Sequence, residues 1–380
     1  MRRFDFMSRS LQKLLVVISV LLSLFLLAGC SKADKASVAG AVTLKYARGF
    51  KIENLADGCK KVTDGNKRVM LLVPRGQKVP SEYKNLPVVY TPVKRVVITS
   101  TTQASLMRPL GVLGSIVGVT TEKDQWYIDQ VKAGMESGSI QLVGGGMGPL
   151  DYDKIVALKP DLVFMSTGGP NDARALQKLE ELNIPVAVDN EWLENDPLGR
   201  LEWIKFIAAF YDKEQQASDF FDGAEKRIAE ITAKVAKVKD KPKVIWGLIY
   251  QGKAYVPAAD SYVARMIAMA GGDYLFKGNK GTGSRAITFE EYYALGKEAD
   301  IYIDDTMMNL GRNTIAHITD QSRLMADLPV LKKGNVWGYQ PWYWQSLDKT
   351  DEVIEDLAAI FHPALFPGYQ LKHFLKLPPA

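Results

Sequence analysis

The chain has 380 residues, enough for two domains with full hydrophobic cores. Its 47% hydrophobic and 24% charged residues are the balance of an ordinary globular protein. Of the formal charge of +5, residues 1–29 carry three units, so about +2 remains on the rest. That leaves no electrostatic footprint for nucleic acid.

Arg2, Arg3, Arg9 and Lys13 precede the apolar run "LLVVISVLLSLFLL". A basic stretch, a short apolar core and small residues after it read as a secretory signal over 1–29. The run, about 14 residues, is short of the roughly 20 that span a bilayer. Cys30 directly follows Leu-Ala-Gly, which resembles a bacterial lipobox. The resemblance implies lipidation of Cys30 and an extracytoplasmic domain held to the membrane by acyl chains. Small polar residues make 30–43 a lipidated flexible linker. Cys59 is then the one remaining thiol, so no disulfide framework exists, and packing is its expected role.

Residues 44–91 read as a β-rich N-terminal extension of short strands separated by Asp-Gly and Gly-Asn turns. From 92 to 195 strands alternate with helices: "KRVVITS", "ASLMRPLGV", "IVGVTT", "YDKIVALKP", "DLVFMS", "ARALQKLEELN", "IPVAVDN". This is the pattern of βαβ units and a mostly parallel sheet. Residues 196–240 read as linking helices. Asp196-Pro197 starts the first, and the second runs from Glu214 to about Lys239 with one apolar face. Over 241–380 the earlier order resumes, with "VIWGLIY", "SYVARMIAMAGG", "FEEYYALGKEA" and "DIYIDD". "YDKIVALKPDLVF" and "FEEYYALGKEADIYI" match as aromatic, acid, Ala-Leu, then Asp and a strand. The fold class is therefore α/β: two Rossmann-like lobes joined by a long backbone helix, plus the extension.

The doubled lobe, the joining helix and the stretches "PVKRVVITS", "LGVLGSIVGVT", "LPVLKKGNVW" and "IFHPALFPG" together resemble the substrate-binding lipoproteins of bacterial ABC importers. The resemblance spans roughly 92–368 and is to the helical-backbone class that handles cobalamin, ferric siderophores and haem. It implies capture of a metal chelate between the lobes and delivery to a transmembrane permease with its ATPase, by a monomer without catalytic residues or a resident cofactor. It also implies that an acid on each lobe, Asp153 and Glu290, pairs with arginines of the permease. Asp153 is one methylene shorter than the usual Glu, and Asp151 stands beside it as a substitute. Two carboxylates at a fixed separation can register a receptor on a two-fold symmetric partner.

Ligands of doubly wound lobes sit beyond the carboxyl ends of the strands. The loops there include "STTQ", "GGGMGP" and "STGGP". They also carry Trp126, Tyr127, Trp192, Tyr250, Trp342, Tyr343 and Trp344, an aromatic set suited to a large, partly apolar ligand. Arg285 and Arg312 are the cations expected near an anionic chelate. Three histidines, His317, His362 and His373, are too few for a bare-metal site. Ferric siderophore and corrinoid stand level, followed by haem and by an oxyanion held in glycine-rich backbone. A tethered α/β enzyme is the competing class. The sequence has no nucleophile elbow, Walker loop or Cys-x-x-Cys.

Overall fold

The structure is a computed structural model that describes residues 40–144, 148–250, 252–306, 314–320 and 322–379. The signal segment, Cys30 and Arg312 lie outside the described residues. Contacts gather Ala41–Ala380 into one unit.

The extension forms strands β1 (Lys51–Asn54), β2 (Lys60–Thr63), β3 (Val69–Pro74) and β4 (Val88–Thr91), side by side in that order. The β1–β2 and β2–β3 pairs are antiparallel, and β3–β4 is parallel. Cys59 is buried beside Leu71 and Val73, and burial raises its thiol pKa, as suits a packing residue.

The N-terminal lobe runs β5 (Val96–Ile98), α1 (Thr101–Met107), β6 (Ile116–Val119), α2 (Asp129–Glu136), β7 (Gln141–Leu142), α3 (Tyr152–Leu158), β8 (Leu162–Met165), α4 (Asp172–Glu181) and β9 (Val186–Val188). All five strands are parallel, in the order β9-β8-β5-β6-β7. Every residue of β5, β6, β8 and β9 is buried, as continuous apolar strands covered on both faces should be.

The chain then enters α5 (Pro197–Glu202), α6 (Ile204–Ala209) and α7 (Glu214–Val235). The first linking helix is broken at Trp203 rather than continuous. The second ends at Val235, short of the expected Lys239. Its buried stripe is Ala217, Phe221, Ala224, Ile228, Ile231 and Val235, spaced at threes and fours. Twenty-two residues give about 33 Å. Its start is fixed to the N-terminal lobe, where Gln216 Nε2 donates to Pro109 O at 2.8 Å. Its end is fixed to the C-terminal lobe, where Lys234 Nζ lies 3.8 Å from the Phe366 ring centroid. Arg227 pairs with Asp351 in between.

The C-terminal lobe has β10 (Lys243–Tyr250), β11 (Lys253–Pro257), α8 (Tyr262–Met269), β12 (Asp273–Tyr274), β13 (Ser284–Ile287), α9 (Phe289–Gly296) and β14 (Ile301–Asp304). Then come α10 (Ile315–Asp320), α11 (Arg323–Ala326), α12 (Pro329–Lys332), β15 (Val336–Tyr339), α13 (Thr350–Phe361) and β16 (Phe374–Lys376). Its sheet order is β13-β11-β10-β14-β15-β16, with β12 beside β10. The duplication is visible in the pairing. Strand β8 lies between β5 and β9, and β14 lies between β10 and β15, all parallel. Unlike the first lobe, this one is mixed. Strand β10 folds straight back into β11, pairing Tyr250 with Lys253, and β13 and β16 add further antiparallel edges.

Two buried carboxylates bind the extension to the linking helices. Glu202, with no exposed surface, accepts from Lys45 N, Tyr46 N and Ala47 N at 3.0, 2.8 and 2.9 Å and pairs with Lys205 at 2.7 Å. Burial pushes its pKa up, but Lys205 and the three N–H groups outweigh burial and hold it low. Glu194 accepts from Arg48 N, Gly49 N and Trp203 Nε1. A Cβ at Gly49 would lie 2.6 Å from the Trp203 ring, so only glycine fits there. Phe50 then packs on Trp203 and Phe206, with centroids at 4.7 and 5.4 Å.

Glu202→Ala is expected to cost roughly 3 kcal/mol in chemical denaturation, because the buried Ala47 N–H, the part-buried Lys45 and Tyr46 N–H groups and the half-buried Lys205 lose their acceptor. Lys45→Ala, at an exposed pair, is expected to leave the midpoint unchanged. Asp304, buried at the end of β14, supplies a pH test. Burial raises its pKa from 3.8 to about 7. The unfolded chain ionises first, so this group removes stability as pH rises from about 4 to 7, on the order of 4 kcal/mol in all. Thermal melts of Asp304→Asn should show a flatter fall across that window than the parent chain.

Candidate solute-binding cleft

A cavity of about 540 Å³ opens at the carboxyl ends of β5, β6 and β8. Its walls are the residues that follow those strands: Thr99 and Ser100 after β5, Thr120 after β6, Ser166 and Thr167 after β8. Gly148 and Pro149 close one side, Gly168, Gly169 and Arg174 the other. These loops are tightly tied. Gln103 Oε1 accepts from Thr99 N and Ser100 N at 3.0 and 3.1 Å, completing a capping box for α1. Ser166 N donates to Thr99 Oγ1 at 2.9 Å and Thr120 Oγ1 to Thr99 O at 3.0 Å. Gly168 N and Gly169 N both donate to Asp172 Oδ2, at 2.6 and 2.5 Å. Arg174 is exposed at the rim and, among the described residues, forms no salt bridge.

The other lobe meets these loops at one end of the cleft. Gln345 bridges them, accepting from Tyr127 N at 2.8 Å and donating to Gln125 O at 2.7 Å. Thr101 Oγ1 donates to Trp344 O at 3.2 Å. Arg108 is bidentate to the buried Asp348, at 2.9 and 2.6 Å. Nearer the linking helices, Arg200 Nε donates to Glu191 Oε2 at 2.6 Å, and its guanidinium stacks 4.0 Å from the centroid of Tyr262 in the second lobe. The gap left beside Arg200, Tyr343 and Thr102 is about 30 Å³, room for one water. Asp305, after β14, accepts from Tyr339 Oη at 2.7 Å, and burial raises its pKa to about 6.

The expected aromatic wall is only partly formed. Trp126 is 1% exposed and donates through Nε1 to Thr121 O, so it belongs to the core of its lobe rather than to the cleft surface. Tyr343 is likewise buried, stacked on Tyr339 with centroids 4.0 Å apart. Trp344 is half-buried, edge-on to Tyr339. Tyr127 and Trp342, 42% and 37% exposed, meet edge to face at 6.1 Å across the lobes. Trp192 packs behind Gly168 and donates Nε1 to Thr167 O at 2.9 Å. Tyr250 is exposed on β10, and Arg285 is exposed on the edge strand β13, folded over Gly281. None of these residues lines the N-terminal cavity. What lines it are hydroxyls and glycines, many of them from "STTQ" and "STGGP", together with Leu150, Tyr152, Met165 and Asp172. Their position after buried strands was the available signal, and the aromatic residues drew weight away from it.

Asp153 and Glu290 are both exposed, each in the first turn of its helix. Helices α3 and α9 feed directly into the central strands β8 and β14. They therefore run antiparallel to those strands and start on the cleft side; Tyr152 lines the cavity. Asp151 is spoken for: it caps α3 by accepting from Lys154 N and pairs with Lys154 Nζ. His362 bonds Gly271 O, and buried His373 lies 3.4 Å from Glu352. Among the described residues no group of three or more His, Cys, Asp or Glu side chains is placed to hold a metal ion, and no helix is long and apolar enough to cross a membrane.

Comparison with known proteins supplies the family. The sequence model of the periplasmic binding protein family matches residues 96–341. An uncharacterized lipoprotein of Methanocaldococcus jannaschii is 35% identical, over 83% of this chain and 78% of its own length. That coverage exceeds the three-quarters of the chain that lies from 96 onward, so the likeness reaches into the extension. Among solved structures, a possible iron-binding periplasmic solute-binding protein from Staphylococcus epidermidis has TM-score 0.56 at 18% identity. It covers 71% of this chain and 99% of its own. A periplasmic haem-binding protein from Pseudomonas aeruginosa has TM-score 0.57 at 19%, covering 74% and 95%. A molybdate periplasmic binding protein from Haemophilus influenzae has TM-score 0.60 at 16%, covering 82% and 94%. With two duplicated lobes, a helical backbone and a match over most of its length, the chain belongs to the periplasmic binding protein family, in its helical-backbone class.

Proposed function

We propose that this protein is the solute receptor of an ABC importer, tethered outside the membrane through a lipid on Cys30. It captures a metal chelate in the cleft and presents it to a permease whose ATPase powers transfer. The observation that carries the reading is the cavity of about 540 Å³ at the strand ends of the N-terminal lobe, in a chain whose second lobe repeats the parallel core of the first. That volume suits a small organic ligand.

The lining refines the solute class. Five Ser and Thr hydroxyls, the Tyr152 hydroxyl and a rim arginine favour an oxygen-rich, anionic chelate of the ferric siderophore kind. A corrinoid or haem would need a broad apolar wall, and burial of Trp126 and Tyr343 removes two of the rings expected to build it. An oxyanion is the second reading, but Gly168 N and Gly169 N already donate to the Asp172 carboxylate, and a tetrahedral anion would fill little of the space. Solved relatives of this fold with iron, haem and molybdate in their names bracket these choices.

Titration of the purified chain with a ferric hydroxamate, haemin, cyanocobalamin and molybdate, read by absorbance and tryptophan fluorescence, tests the class. Tight binding of the ferric hydroxamate alone is expected; tight binding of molybdate alone would contradict the chelate reading. Arg174→Ala should weaken binding roughly 10-fold or more while leaving the melting midpoint in place. On the permease side, Asp153→Lys with Glu290→Lys should abolish uptake by cells and leave solute affinity unaltered. Loss of affinity would count against a docking role.

A further inference from the structure

The extension reaches the cavity wall through a short chain of hydrogen bonds. Asp64, fully buried, accepts from Asn66 N and Arg68 N through Oδ1 and from Val188 N through Oδ2, at 3.0, 2.9 and 3.1 Å. Gly65 N donates to Val188 O at 2.9 Å. The 64–66 turn thus completes the open edge of β9, the outer strand of the N-terminal lobe. A Cβ at Gly65 would sit 3.0 Å from both Val188 O and Asn190 Cβ, so glycine allows the close approach.

From this turn Asn66 Oδ1 accepts from Asn190 Nδ2 at 3.1 Å. That contact orients the Asn190 carboxamide, whose Oδ1 accepts from Thr167 N and Thr167 Oγ1 at 3.0 and 2.9 Å. Thr167, Gly168 and Gly169 line the 540 Å³ cavity on one side and a second hollow, of about 380 Å³, on the other. Asn66 stands at the rim of that second hollow. A wall with space on both faces has few packing contacts to hold it, chiefly Trp192 behind Gly168. Its position is set by the hydrogen bonds at its ends: Asn190 and Trp192 on Thr167, and Asp172 on the two glycines.

We propose that Asn66 is a positioning residue for the solute cavity: acting through Asn190, it fixes the 166–169 wall, so that the extension shapes solute selection. This rests on the cavity being the solute site. The family match begins at residue 96, whereas the Methanocaldococcus jannaschii lipoprotein shares sequence ahead of it, as an added specificity element would.

Hydrogen–deuterium exchange on the mature chain tests the relay without a solute. In Asn66→Ala the 166–169 amides should exchange roughly 2- to 10-fold faster, the range expected for loss of one hydrogen bond. Amides of β3 and the thermal midpoint should stay at parent values, because Asn66 is exposed and Asp64 still holds the turn. Asn66→Asp, which keeps the acceptor oxygen, should restore the parent rates. Unchanged exchange at 166–169, or an equal rise throughout the extension, would overturn the proposal. A ferric hydroxamate titration of the same variants separates the two readings. Faster wall exchange with weaker binding supports both, whereas faster exchange with unaltered binding keeps the relay and removes the cavity as solute site.

Discussion

The structure depends on how its two lobes are kept apart. A helix of about 33 Å is fixed to one lobe at its start and to the other at its end. Arg200 is held between Glu191 of the first lobe and the ring of Tyr262 in the second. A buried ion pair of this kind adds little net stability, since desolvation offsets attraction, but it tolerates only one geometry. Arg108 with Asp348, and Gln345 with the 125–127 backbone, repeat the restraint at the end of the cleft. These contacts cross between lobes, so hinge bending would break several at once. The space between the lobes is therefore pre-formed.

The polar part of the cavity lining, set beside Leu150, Met165 and Ala175, follows from where the strands end. Buried parallel strands spend their apolar residues inside the sheet, and the first residues past the carboxyl ends must turn sharply into helices. Ser, Thr and Gly serve those turns and helix caps, so the cavity inherits hydroxyls and backbone amides. Large aromatic residues in the same loops find better partners away from it. Tyr343 stacks on Tyr339, and Trp192 braces the 166–169 wall from behind. The extension adds a further brace from outside the duplicated core.

Much of this was legible in the sequence. The doubled helix–strand pattern around Asp153 and Glu290 gave two lobes, and the structure confirms them through the equivalent places of β8 and β14. The single apolar face expected of the linking helix is present as the buried stripe from Ala217 to Val235. The antiparallel β11 and β13 were not legible, because short strands signal burial and turns but not direction. Nor was the fate of each aromatic residue. Three consecutive rings, Trp342, Tyr343 and Trp344, end up exposed, buried and half-buried, a choice made by tertiary partners such as Tyr339 and Tyr127. The docking of Asp64 on Val188 and of Glu202 on residues 45–47 joins segments more than 120 positions apart, beyond any local pattern.

The central claim is that the lobes hold a fixed separation whether or not the cleft is filled. Small-angle scattering of the mature chain, alone and with a saturating solute, measures this directly. The radius of gyration should be the same in both states within experimental error. A contraction of several ångströms on binding, of the kind produced by hinge closure, would contradict the account.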